Sequence, residues 1–488
     1  MNNNHIVLCL MARRGYDHIS TSIFNCLQEK HRGEIECVFV TSNTQETKYV
    51  EKHVKTSKFN CKEVSSYFNL NWNDFTEDKL IYYEHKYDCS PIWKYIYTDR
   101  FLINQDREYC IKTAIGFFAF FEMVFNVYNV DYYYDEAIST LETYIAYIVG
   151  LRNHTKYVSL LDARGAELFG KYHYYSIDPN EMAVEMSANY VINEYSEDEM
   201  LAAETYLSEF EKQEMVPDYM RKTGKRPRLS FRFFLAPVQY LRLKLNKREY
   251  DKYFYMYYKM AIHAFDEPFF YFRYLKSQRY YSKADYSKKF VYFPLHYQPE
   301  SSTLVCAQKY EKQLFYIDSW AKSIPADTWL YVKEHYAVLG HRSLSFYKEL
   351  KKYPNVVLID PWESSRKLIE HACAVTTLTG TAGWEAMLLR KPVFLGGSIF
   401  FDYAPGIIKI NDIYDRYIDL INKWEQPSRK DVIKYLCEYF RALHPGYADA
   451  GDRKMDRSNY ENLADSLYMF ILSNKAQNEN TVLGGKDA

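Results

Sequence analysis

Residues 372–396 place the tightest limit on the fold of this chain, because they spell out a strand, a turn, a helix and a second strand. Residues 372–377 are an apolar run that reads as a buried strand, and 392–395 reads as the next one. Two strands joined through a helix run parallel, so this stretch requires an α/β sheet covered by helices. The turn between them is Thr379-Gly380-Thr381-Ala382-Gly383, and Trp384-Glu385-Ala386-Met387-Leu388 continues as an amphipathic helix. Small residues at a helix N-terminus leave backbone N–H groups open, and the positive dipole end adds to their pull on an anion. Glu385, about one turn further on, is placed to accept hydrogen bonds from a ribose diol beside bound phosphates. Thr379, Gly380, Thr381, Ala382, Gly383 and Glu385 are therefore candidates for holding a nucleotide. A turn of this kind that binds nothing is also common in parallel domains.

The same alternation occurs at both ends of the chain. Residues 6–10, 37–40, 130–134 and 157–160 read as strands interleaved with helices at 18–29, 107–128 and 140–151. A second series of strands falls at 290–293, 329–332, 356–359, 374–377 and 392–395. Between the two, residues 165–287 show charged and aromatic stretches at helical spacing without strand signals. The expectation is an α/β protein of two Rossmann-like lobes with a central cleft and a helical middle insertion. Its parts are 1–164, an acceptor-side lobe; 165–287, the linking subdomain; 288–410, a nucleotide-sugar lobe; 411–475, helices packing across the lobes; and 476–488, a disordered tail.

Composition narrows the function. The chain has 488 residues, enough for two or three domains, with 62 Lys and Arg against 63 Asp and Glu. That balance argues against a nucleic-acid binder, whose phosphate contacts need a basic excess. Fifty tyrosines suit sugar-binding clefts and interfaces, though compositional bias alone accounts for them equally well. Nine cysteines lack any Cys-x-x-Cys pair or His cluster at metal spacing, which fits reduced thiols and no metal site. No secretory signal precedes the first strand, and the longest apolar cluster, 115–125, contains Glu122, so the expectation is a cytoplasmic protein with no spanning helix.

Several further groups fall at strand ends in the second lobe, where loops face a cleft. Phe293-Pro294-Leu295-His296-Tyr297-Gln298-Pro299-Glu300-Ser301-Ser302 crowds an imidazole, an amide, a carboxylate and hydroxyls into one loop. Lys333 and His335 form a cationic pair suited to a phosphate leaving group, although His335 also reads as a buried, hydrogen-bonded histidine. Trp362 is a stacking platform for a base, and Ser364 or Ser365 reads either as a ligand or as a helix cap. No Asp-x-Asp motif is present to hold a divalent ion, so leaving-group charge falls to helix dipoles and to Lys333, His335 and Arg342. In the first lobe, Arg13 and Arg14 follow the first strand as acceptor-side candidates. Glu136 follows the strand at 130–134 as a candidate base or nucleophile, or as a carboxylate favoured by a helix start.

Together His296-Tyr297-Gln298-Pro299-Glu300-Ser301-Ser302, Lys333-Glu334-His335 and Thr379-Gly380-Thr381-Ala382-Gly383-Trp384-Glu385-Ala386 resemble the bacterial capsule polysaccharide biosynthesis proteins. The resemblance is clearest over 291–406. These are GT-B-type glycosyltransferases, and the group includes Kdo transferases that use CMP-Kdo. It implies that Glu300 stands where the family carries an acidic residue, and that Tyr336 replaces the usual proline of a Lys-x-His-Pro motif. It also implies a nucleotide-sugar donor, a glycan or glycolipid acceptor, no metal cofactor, and work at the cytoplasmic face of the inner membrane. The basic loop 221–228 and the aromatic run 269–274 would then lie against lipid or a glycan, or else pack on the lobes. Glu300, His296 or Glu136 handles the acceptor proton or the anomeric carbon, and Gln298 lies on the acceptor side. The rival readings are a nucleotide-sugar 2-epimerase of the same two-lobed plan and a non-catalytic assembly subunit.

Overall fold

The computed structural model describes residues 5–13, 15–103, 105–164, 170–212, 268–410, 417–448 and 455–484, with isolated positions between 237 and 245. Two six-stranded sheets dominate it. The first is built from β1 (Ile6–Met11), β2 (Ile35–Thr41), β3 (Phe59–Glu63), β4 (Tyr132–Asp135), β5 (Lys156–Asp162) and β6 (His173–Ser176), in the order β3-β2-β1-β4-β5-β6. The second is built from β7 (Lys289–Pro294), β8 (Thr328–Lys333), β9 (Val356–Ile359), β10 (Ala374–Thr377), β11 (Val393–Leu395) and β12 (Ile407–Lys409), in the order β12-β11-β10-β7-β8-β9. All neighbours pair in parallel except β5 and β6. This is the α/β, GT-B-like plan of two Rossmann-like lobes.

Parallel strands buried on both faces favour apolar runs; β1 and β7 supply them, and β10 adds two buried threonines to Ala374 and Val375. In each sheet the strand order reverses once, between β1 and β4 and between β7 and β10. At such a reversal the loops leaving two neighbouring strands turn to opposite faces, and a crevice opens at their carboxyl ends. The loop after β7 and the turn after β10 are thus neighbours, although about 80 residues separate them in sequence.

The strand His173–Ser176 pairs antiparallel with β5 and extends the first sheet into the segment expected to be helical from 165. Its Tyr174 packs with the second lobe's core while Tyr175 packs in the first, so the strand ties the two together. The helix Glu197–Lys212 follows, and the basic loop 221–228 lies outside the described residues. The helix Arg429–Arg441 lies against Glu197–Lys212, with Arg429 paired to Glu204 and Glu211. The final helix, Arg457–Gly484, returns to the first lobe and packs on Asp17–Lys30. Its backbone runs through residues 476–484, where a disordered tail was expected.

The helix Arg107–Tyr128 is long and apolar enough by composition to cross a bilayer, and it occupies the core of the first lobe. Phe117, Phe118, Phe120 and Phe121 are wholly buried there against rings that include Phe68 and Tyr133.

Candidate functional site

A cleft of about 610 Å³ lies at the β7/β10 reversal. Its floor is the loop after β7, its sides are the ends of β8 and the turn after β10, and Arg164 and Glu181 close it from the first lobe's side. It gathers His296, Glu300, Lys333, His335, Trp362, Ser364, Thr379, Gly380, Thr381, Ala382 and Glu385, most of the residues singled out from sequence.

His296 is buried at the bottom. Its backbone N–H donates to the Gln313 side chain (2.8 Å), whose amide returns a bond to the His296 carbonyl (3.2 Å). Leu378 N–H donates to the ring Nε2 (3.0 Å), and the Thr377 hydroxyl lies 3.1 Å from the same nitrogen. A backbone N–H can only donate, so Nε2 is the acceptor and the proton of the neutral ring sits on Nδ1. Burial, helped by the charges of His335, Arg342 and Arg164, brings the His296 pKa down to about 3. His296 is thus a neutral Nδ1–H donor at neutral pH. It is not a general base, because its lone pair is already occupied.

The ring also explains Gly380. A Cβ there would come within 2.9 Å of both His296 Cε1 and Thr377 Oγ1. Gly380 N–H donates to Thr377 Oγ1 (3.0 Å), and Gly383 N–H turns back to the Gly380 carbonyl (2.9 Å). Thr381 and Ala382 open the helix Thr381–Leu388 and line the cleft, and the first N–H groups of a helix have no partner within it. Thr379 contributes differently, since its hydroxyl donates to the Ser302 carbonyl (2.9 Å) and ties the two loops together. Gly383 packs against Thr377 and Phe401 and does not line the cleft, so its role is close packing.

Lys333, the last residue of β8, is buried with its ammonium donating to the Ser365 hydroxyl (2.7 Å). His335 is held below its usual range, at about 4, by burial first and then by the neighbouring charges of Lys333 and Arg342. It is therefore neutral at neutral pH, and the fixed cations at the cleft are Lys333 and Arg164. Ser364 caps the helix Ser365–His371 by accepting from Lys367 N–H (3.1 Å), so the capping reading holds, and its residue still borders the cleft. Arg342 does not reach the cleft. Its guanidinium pairs with buried Glu334 (3.0 Å), bonds the His296 carbonyl and approaches Gln298 (3.4 Å). Tyr347 donates to the same Glu334 oxygen (2.8 Å). Glu334 and Arg342 brace the His296 loop. Gln298 belongs to that brace, donating to the Glu311 carbonyl (2.5 Å) and facing a different pocket.

Glu300 N-caps the short helix Ser301–Leu304 through its backbone, while its carboxylate accepts from Ser302 (3.0 Å) and borders the cleft. In the first lobe Arg13 is enclosed by Asp135 (3.5 Å), Glu136 (3.6 Å) and Glu142 (3.3 Å). Arg13, Asp135 and Glu136 line a separate small pocket of about 30 Å³, so Glu136 and Arg13 are not brought into the main cleft. Desolvation raises the Glu136 carboxyl, with Arg13 opposing it. Arg14 lies outside the described residues.

Two cleft residues escape a sequence reading. Arg164, just past β5, lays its guanidinium over Phe400 and Phe401 (5.5 and 5.9 Å). Glu181 sits in the turn after β6 with a backbone φ of +57°. The Pro179 carbonyl accepts from the Cys306 thiol (3.5 Å), Arg164 N–H donates to the Tyr439 hydroxyl (2.7 Å), and that hydroxyl donates to the Arg164 carbonyl (3.4 Å), a juxtaposition that no local pattern encodes.

Among the described residues no group of three or more His, Cys, Asp or Glu is arranged to hold a metal ion. Of solved structures, the chain resembles the Thermosulfurimonas dismutans KpsC beta Kdo 2,7 transferase at 14% identity and a TM-score of 0.33, over 65% of this chain and 80% of that one. It also resembles S. aureus MnaA with UDP (11%, TM-score 0.25, 89% and 91%). A third is the Methanocaldococcus jannaschii UDP-GlcNAc 2-epimerase with UDP-GlcNAc and UDP (11%, TM-score 0.28, 89% and 100%). Likenesses this distant reach neither substrate nor chemistry. No curated protein matches the chain. Residues 178–417, which carry the whole second sheet and nearly all of the cleft, match the family model described as capsule polysaccharide biosynthesis protein.

Proposed function

We propose that the protein is a glycosyltransferase of bacterial surface-polysaccharide assembly, moving a sugar from a nucleotide-activated donor to a glycan or lipid-linked acceptor without a metal ion. The observation that carries this reading is the composition of the cleft at the β7/β10 reversal. Two open N–H groups, Thr381 and Ala382, the Nδ1–H of His296 and the ammonium of Lys333 all border one cavity, with the carboxylate of Glu300 beside them. Donors fixed before the reaction stabilise charge on a departing phosphate without reorganising, and they do so most strongly where water is excluded. Glu385, half-buried on the first turns of the helix, accepts from the ribose diol, and Trp362 stacks on the base. Glu300 faces the sugar.

The donor class includes CMP-Kdo alongside UDP- and GDP-sugars. The site of action in this proposal is the cytoplasmic face of the inner membrane. Phe269 and Phe272, exposed on the helix at 268–277, are the peripheral lipid contact.

The test is to incubate the protein with CMP-, UDP- and GDP-sugars in the absence of acceptor and to follow nucleotide and sugar products by mass spectrometry. A transferase gives slow nucleotide release with water as the acceptor and no altered nucleotide sugar. Rapid conversion of a UDP-sugar into its 2-epimer or a free epimerised sugar would assign an epimerase. No turnover of any donor, with glycan production in cells unaffected by Glu385→Ala, would assign a non-catalytic subunit.

A further inference from the structure

Glu181 is a cleft carboxylate that lies outside the family-like motifs and comes from the first lobe's side. It is supplied from the opposite side, by the turn after β6, whereas Glu300 comes from the loop after β7. The turn is pinned. Asn180 N–H donates to Asp178 Oδ1 (2.6 Å), the Tyr174 hydroxyl donates to the Glu181 carbonyl (3.2 Å), and the Cys306 thiol donates to the Pro179 carbonyl (3.5 Å). These bonds hold Glu181 in the left-handed region at φ +57°, which is uncommon for a residue with a Cβ.

The carboxylate that this geometry aims into the cleft makes no hydrogen bond or ion pair with any described residue. Its electrostatic neighbours are Arg164, Glu300 and Asp178. Desolvation is the main cause raising its pKa, with Glu300 and Asp178 adding to the rise and Arg164 opposing it. A carboxylate that is raised, unpartnered and open to a substrate cavity is a better proton acceptor than one held by a salt bridge, as Asp135 and Glu136 are held by Arg13.

Resting on the glycosyltransferase reading above, we infer that Glu181 is the general base that deprotonates the acceptor hydroxyl, delivered by the first lobe to a donor held by the second. The acceptor O–H bond breaks with its proton passing to a Glu181 carboxylate oxygen. The acceptor oxygen bonds to the sugar carbon, and the bond from that carbon to the phosphate oxygen breaks with its electron pair leaving on the phosphate. Glu181 then releases the proton to solvent. Arg164, stacked on Phe400 and Phe401 with its buried Nη1 free of hydrogen bonds, offsets the repulsion between Glu181 and Glu300.

The experiment compares wild-type protein with Glu181→Gln and Glu181→Asp, using nucleotide release from whichever CMP-, UDP- or GDP-sugar the wild type hydrolyses. Melting temperature and the shift produced by the free nucleotide are measured on each. The expected result is a rate loss of about 10²–10⁴-fold in Glu181→Gln with the nucleotide shift retained. Its acidic limb in the pH–rate profile should vanish, and Glu181→Asp should recover part of the rate. If wild type turns over donor and Glu181→Gln keeps its rate and its acidic limb, the inference is wrong while the glycosyltransferase reading stands. If Glu181→Gln loses nucleotide binding and melting temperature together, Glu181 is structural and the inference is also wrong. If wild type neither binds nucleotide nor turns over any donor, the glycosyltransferase reading fails and this role falls with it.

Discussion

His296 shows how single residues in this cleft are fixed by several constraints at once. Its Nε2 is saturated by the Leu378 N–H, its carbonyl is gripped by Arg342 and Gln313, and its ring edge leaves no room beside Gly380. Because the native pKa is about 3 and the unfolded value is near 6.5, the unfolded chain binds an extra proton between those limits. Stability from this histidine is thus fully present above pH 6.5 and is lost as pH falls toward 3, by up to about 1.4 kcal/mol per pH unit. Urea melts of His296→Asn between pH 7 and 5 should show a shallower pH slope than wild type. An unchanged slope would mean that the ring is not buried neutral. Gly380→Ala, whose new methyl meets the His296 ring and Thr377, should cost about 1–3 kcal/mol in the same melts. Lys333→Met separates function from stability. Replacing a buried ammonium by an apolar side chain of similar length should leave the melting temperature unchanged or higher, while nucleotide affinity falls about tenfold or more. Most of these residues were legible from sequence because strand ends and small-residue turns advertise themselves. What a residue does there was less legible. Ser364 and Gly383 have local uses, capping and packing, that look the same in sequence as ligand binding. His296 was a candidate for the acceptor proton and His335 one half of a cationic pair with Lys333, but burial, which sequence does not record, has made both neutral.

At the scale of elements, the reversal between β7 and β10 brings the two motif loops together, and the helix Thr381–Leu388 gives the site its polarity. Glu385 lies on this helix and borders the cleft without belonging to the buried core. Glu385→Ala should fold normally and weaken nucleotide binding about 10–100-fold, as expected when a charged acceptor of hydrogen bonds is removed. Calorimetry on the variant checks this, and wild-type affinity would show that the diol is held elsewhere. The central strands of both sheets could be read from their apolar runs. β3, β6 and β12 could not, because Phe59–Glu63 is polar, His173–Ser176 follows no helix, and Ile407–Lys409 is only three residues long. β6 also runs against the parallel pattern, so the alternation that revealed its neighbours was silent about it. Arg13 and Glu136 were correctly placed at strand ends, but those strands belong to the other reversal, and their pocket is separate from the main cleft.

For the whole molecule, the two lobes are held together by chain that crosses between them. β6, the helix Arg429–Arg441 and the returning helix Arg457–Gly484 do this, and Arg164 and Glu181 reach the cleft only because of it. Leu463, Leu467, Phe470 and Ile471 of the last helix are buried in the first lobe's core. At roughly 1.5–3 kcal/mol for each large apolar side chain, their loss rivals the roughly 5–15 kcal/mol that stabilises a domain. A chain ending at 456 should therefore be insoluble or lack a cooperative melt by circular dichroism, and a normal melt would show that this helix is dispensable. The central claim is that the second lobe's cleft holds the nucleotide half of an activated sugar. It is tested most directly by melting the protein with CMP, CDP, UDP and GDP at millimolar concentration, alongside Glu385→Ala. At least one nucleotide should raise the wild-type melting temperature and raise that of the variant much less. No shift with any of the four, or an equal shift in both proteins, would contradict it.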